Sequence, residues 1–95
     1  TKILKQGIYT TDDNEATITL YDDNLFKFDI IYVDCLYTGN YSVKKNKLIL
    51  NLDENYELIF EVGDNQIVFE GANENGEFSE RRPIKVGKIF KKTEN

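Results

Sequence analysis

Three times along the chain, a polar turn holding an asparagine opens onto an alternation of apolar and polar residues. The segments are Asp22-Asp23-Asn24-Leu25-Phe26-Lys27-Phe28, Lys44-Lys45-Asn46-Lys47-Leu48-Ile49-Leu50 and Gly63-Asp64-Asn65-Gln66-Ile67-Val68-Phe69. Asparagine and aspartate tolerate left-handed backbone and hydrogen-bond to their own main chain, so each segment predicts a hairpin turn between antiparallel strands. The flanking stretches keep a period of two. Ala16, Ile18 and Leu20 face away from Thr17 and Thr19, and Phe26, Phe28 and Ile30 away from Lys27 and Asp29. Leu48, Leu50 and Leu52 form a third stripe, Tyr56, Leu58, Phe60 and Val62 a fourth, and Ile67 and Phe69 a fifth. One dry face and one wet face is the pattern of an antiparallel sheet that covers a single core.

This rhythm predicts strands near 6–10, 15–21, 24–31, 33–37, 39–44, 47–52, 56–62, 65–71 and 86–91. No window carries helical spacing over three turns, and the one proline, Pro83, falls between the last two strands. Short strands joined in sequence, with no helix to cover them, must roll up to bury their dry face. The expected fold is therefore all-β: a single antiparallel meander barrel of about eight strands over residues 1–95, the alternative being a two-sheet sandwich. A barrel of about eight strands is just wide enough for side chains to fill it. The expected lumen holds Tyr9, Phe26, Phe28, Tyr41, Leu58, Phe60 and Phe69, bulky enough to leave at most a small cavity at one end.

The residues that carry common chemistries are scarce. There is no histidine, which removes the usual general base, the Ser-His and Cys-His nucleophile pairs and most zinc sites. Cys35 is the one cysteine, so no internal disulfide forms, and its apolar surroundings suit a small core or half-buried residue. Asp12-Asp13, Asp22-Asp23 and Asp53-Glu54 are adjacent acids in expected turns, where carboxylates are ordinarily solvated, and not a pair facing across a cleft. Asp12-Asp13-Asn14-Glu15 lacks the alternating ligand spacing of a calcium loop. No catalytic residue, metal ligand or cofactor is expected, and the chain does not read as an enzyme.

The formal net charge is −5, unevenly placed. Between Asp12 and Glu80, sixteen acids face four lysines, whereas Arg81 to Lys92 holds six bases and no acid. The expectation is that the acidic body neutralises this basic strip. Nucleic acid is not an expected partner for a chain with an isoelectric point near 4.7, whose acidic surface repels phosphate. No stretch is long and apolar enough for a transmembrane segment. The chain begins at Thr1 and has no methionine, which reads as a processed chain whose targeting segment lies upstream.

Two segments break the alternation. Residues 30–37 are apolar on both faces. Either another segment packs over them, or Tyr32 and Tyr37 belong to a protein-contact surface. Residues 71–83 form the longest stretch without strand pattern, with Phe78 as their lone large apolar residue. Phe78 either plugs a barrel end or joins Arg81 and Arg82 in a contact for an anionic or carboxylate-bearing partner.

Gly7-Ile8-Tyr9, the run from Thr17 to Phe26, Gly39-Asn40-Tyr41-Ser42-Val43, Asn46 to Leu50, Gly63 to Phe69 and Gly87-Lys88-Ile89-Phe90 together cover most of the chain. In these motifs the sequence resembles small calycin-like β-barrel domains of exported lipoproteins from low-GC Gram-positive bacteria. Its Gly-x-Tyr is similar to the Gly-x-Trp of lipocalins, with tyrosine for tryptophan. The resemblance implies a barrel and a cell-envelope location, with the lipid-bearing cysteine upstream of Thr1, and brings no activity with it. The expected role is a non-catalytic binding or structural module, monomeric, at the cell surface, with an unknown protein or small molecule as partner. The alternatives are a small-ligand carrier with a pocket at the barrel mouth and an inhibitor or immunity protein acting through a surface patch; the alternative location is cytoplasmic.

Overall fold

The computed structural model describes residues 4–31, 35–53, 56–73 and 86–94. Eight strands follow one another: β1 (Gly7–Thr11), β2 (Ala16–Leu20), β3 (Leu25–Ile30), β4 (Cys35–Lys44), β5 (Lys47–Asp53), β6 (Tyr56–Gly63), β7 (Gln66–Asn73) and β8 (Ile89–Glu94). Each pairs antiparallel with the next, and β8 returns to β1, so the sheet is a closed barrel in sequence order. Closure rules out the two-sheet sandwich.

The turns take the conformations that their asparagines favour. Asn14, Asn24, Asn46 and Asn65 all have φ between 56° and 67°. Lys45 joins Asn46 at positive φ in the two-residue turn between Lys44 and Lys47, the mirror-image turn that matches strand twist. At the first turn, the buried Thr11 hydroxyl accepts from the backbone amides of Glu15 (2.8 Å) and Ala16 (3.2 Å).

The dry stripes line the lumen. All seven expected interior residues are buried, from Leu58 and Phe60 at 0% exposure to Tyr41 at 8%. Phe90, which the short alternation of the last strand did not single out, is also fully buried. It completes a cluster of rings: Phe28–Phe60, Phe28–Phe90 and Phe60–Phe90 meet nearly edge-to-face at 6.5, 6.1 and 5.6 Å between centroids. Phe69 tilts against Phe60 at 5.3 Å. Edge-to-face contact sets the positive ring edge against the negative face, adding stabilisation beyond area burial.

Two strand expectations differ from the structure. The segments read as 33–37 and 39–44 are one ten-residue strand, β4. Gly39 does not end the strand. A Cβ there would overlap the Asn51 carbonyl oxygen and approach the Phe26 ring at 3.1 Å, so glycine lets β4 run close over its neighbours. The last strand runs from Ile89 to Glu94 instead of 86–91. Gly87, at φ 94°, lies in a turn, and the polar tail pairs with β1 through main-chain bonds that need no apolar side chain.

Candidate functional site

Alternation places Thr17 and Thr19 on the outer wall, and the same phase brings Tyr21 out at the end of β2. The hairpin turn is held by the Tyr21 amide, which donates to the Leu25 carbonyl at 2.9 Å. It sets Leu25 beside Tyr21, and both remain about half exposed, at 44% and 46%. One step along β3, Lys27 is in register with Thr19 on one side and Thr38 on the other. Two grooves flank this ridge. One, of about 490 Å³, runs towards Gln6, Gly7, Ile8 and Asp22; the other, of about 440 Å³, towards Phe26, Thr38 and Gly39. Both are lined by Tyr21 and Lys27.

Of the residues expected to meet a partner, only Tyr37 is described. It is half-buried and packs against the core, its ring 6.1 Å from Phe28, so it contributes to the lumen side of β4. Among the described residues of the apolar stretch, Ile31 and Leu36 are exposed, at 52% and 58%. Tyr32, Phe78, Arg81 and Arg82 lie outside the described residues, as does the side-chain environment of Cys35. The ridge at Tyr21 was legible in principle, because the outward phase of β2 extends to it. It carries no unusual residue type to draw notice.

Among the described residues, the two ends of the barrel carry different contacts. At one end, Leu4 packs against the core and the Tyr9 hydroxyl donates to the Lys5 carbonyl at 2.6 Å. Burial raises the Tyr9 pKa, the bond to Lys5 opposes the rise, and Tyr41 adds to it. The Tyr41 hydroxyl donates to the Tyr21 carbonyl at 3.3 Å, tying the lumen to the strand that bears the ridge. At the other end, the acidic β1–β2 turn meets the basic start of β8. Lys88 bridges Asp13 (2.7 Å) and Glu15 (3.2 Å), and Lys91 lies 3.9 Å from Asp12. The Lys88 hydrogen bond is the main cause that lowers the Asp13 pKa to about 2. The acidic body thus neutralises these two lysines.

Among the described residues, no group of three or more Cys, Asp or Glu is placed to hold a metal ion. No described helix is long and apolar enough to cross a membrane. No family model, curated protein or solved structure matches the chain.

Proposed function

We propose that the chain is a non-catalytic binding module of an exported lipoprotein from a low-GC Gram-positive bacterium, held at the cell surface by a lipid-bearing cysteine upstream of Thr1. It meets its partner on the outer wall of the barrel. One observation carries the outer-wall reading: rings and branched chains fill the lumen, while two adjoining grooves share the Tyr21–Lys27 ridge outside. A carrier binds in a concave apolar chamber, typically about 300 Å³ or more. Among the described residues, these two grooves lie on the wall, whereas Phe28, Phe60 and Phe90 pack against one another in the lumen. The non-catalytic reading rests on the absence of histidine from the sequence, and on Asp13 and Glu15 being engaged by Lys88. Export rests on the resemblance of the strand and turn motifs to envelope lipoprotein domains.

Two measurements test this. Metabolic labelling of the full-length precursor with a clickable fatty acid should place the label on a cysteine upstream of Thr1 and the protein in the membrane fraction. An unlabelled protein in the soluble cytoplasmic fraction would overturn the location. A fluorescent apolar probe should show no saturable binding to the folded domain; saturable uptake that shifts Phe28 and Phe60 signals would overturn the filled-lumen reading.

A further inference from the structure

The outer faces of β2, β3 and β4 carry a pattern that is complementary to itself when read backwards. Along β3 the outward residues are Leu25, Lys27 and Asp29, and Ile31 continues their phase past the strand end. The Ile31 amide still donates to the Glu15 carbonyl at 2.8 Å, so the chain holds its line there. The order is apolar, cation, anion, apolar, with Phe28 at its centre. On the flanking strands, Tyr21 lies beside Leu25, and Leu36 is in register with Asp29. Tyr21, Leu25, Ile31 and Leu36 are four of the seven exposed large apolar side chains among the described residues, so exposed apolar surface is concentrated on this face. Lys27 and Asp29 stand two positions apart on one side of the strand, roughly 7 Å along it. Neither side chain makes a hydrogen bond or ion pair.

That order selects the occupant. In a two-fold pair the same patch serves both copies, so it must fit itself. With β3 laid antiparallel on β3, Lys27 faces the partner's Asp29 and Leu25 faces the partner's Ile31, each twice by symmetry. Parallel stacking would set lysine on lysine and aspartate on aspartate, and like charges in contact repel. We infer that the chain forms a two-fold dimer through the outer wall of β2–β4, its β3 strands antiparallel across the axis. The inference rests on the outer-wall reading and names a second copy as the partner, in place of the monomer expected from the sequence. Three strands about 4.8 Å apart and six residues of about 3.3 Å each give a footprint of about 14 by 20 Å, small beside the ~800 Å² per partner of a standard interface. The dimer is therefore weak, with a Kd of about 10 µM to 1 mM.

The experiment is sedimentation velocity and nuclear magnetic resonance of the 15N-labelled chain, from about 20 µM to about 2 mM, a range that brackets the expected Kd. Sedimentation should move from monomer towards dimer, and the amides of Leu25, Lys27, Asp29, Ile31 and Leu36 should shift with concentration. Lys27→Glu and Asp29→Lys should each weaken the dimer about tenfold or more, because like charges then meet twice across the axis. An equimolar mixture of the two variants should dimerise as the parent does, since every facing pair is again opposite in charge. So should the single chain that carries both exchanges. Should either single variant lose the dispersed spectrum of the folded barrel, the doubly exchanged chain and Leu25→Ser replace it, the first expected to match the parent and the second to weaken the dimer about tenfold. Monomer sedimentation and unchanged shifts up to about 2 mM overturn the dimer and leave the outer-wall reading to the apolar-probe titration, which decides it separately. A dimer that neither charge reversal weakens, or that the mixed variants fail to restore, overturns this face as its interface.

Discussion

At Gly39, β4 passes so close to Asn51 and Phe26 that a single added carbon has no room. Gly39→Ala should therefore destabilise the barrel by about 1–3 kcal/mol, the usual cost of overpacking, in equilibrium urea unfolding. Lost volume in the lumen is destabilising as well. Phe60 touches three rings, and Phe60→Ala should cost about 3–5 kcal/mol, whereas Leu36→Ala on the wall should stay within about 0.5 kcal/mol. Asp13 is exposed, yet Lys88 lowers its pKa from the ordinary 3.8 to about 2. Between those values the unfolded chain binds the proton that the folded one refuses. The stabilisation is thus complete above the unfolded pKa and is lost as pH falls through the folded one. Asp13→Asn should flatten the acid slope of stability between pH 3.8 and about 2, read from urea midpoints across that range. Lys88 shows the mirror case: its pKa is raised above 10.5 by Asp13 first, so its contribution is present below 10.5 and fades only above its folded value.

Turns and strands differ in how much of them a reader of the sequence recovers. The turns at Asn24, Asn46 and Asn65 were fully legible, because a left-handed residue is a local requirement and asparagine meets it locally. Asn46→Ala should cost about 1–2 kcal/mol by placing a Cβ-bearing residue without asparagine's compensation at φ 67°, and Asn46→Gly should be near neutral, both measured by chemical denaturation. Strand interiors were legible to within a residue or two wherever alternation was strong. The exceptions have distinct causes. Gly39 looks like a break in sequence but serves close packing, and the Lys91–Glu94 tail lacks the apolar stripe that marks a strand yet pairs with β1 along its backbone.

For the whole molecule, the decisive contact is the one between the ends of the chain. Ile8 to Thr11 pair with Glu94 to Phe90, and the Asp13–Lys88 bridge fastens residues 75 positions apart. Removing residues 91–95 should open the ring, expose the edge of β1 and abolish cooperative thermal unfolding, followed by circular dichroism; a truncated chain that melts as sharply as the parent would show that the seam is dispensable.

The sequence by itself determined which residues face inward and where the hairpins turn, because a period of two and a left-handed asparagine are each set within a few neighbouring residues. It also determined that the inward set is bulky enough to fill an eight-stranded lumen. Only the tertiary structure decided the arrangement around the cylinder. It brought Phe90 into contact with Phe28 and Phe60, turned Tyr37 towards the core and set Lys27 between Thr19 and Thr38 beneath Tyr21. Alternation records the dry side of each strand but not its register against a partner. Register in a closed sheet is a collective property, set when all eight strands must stagger together to meet.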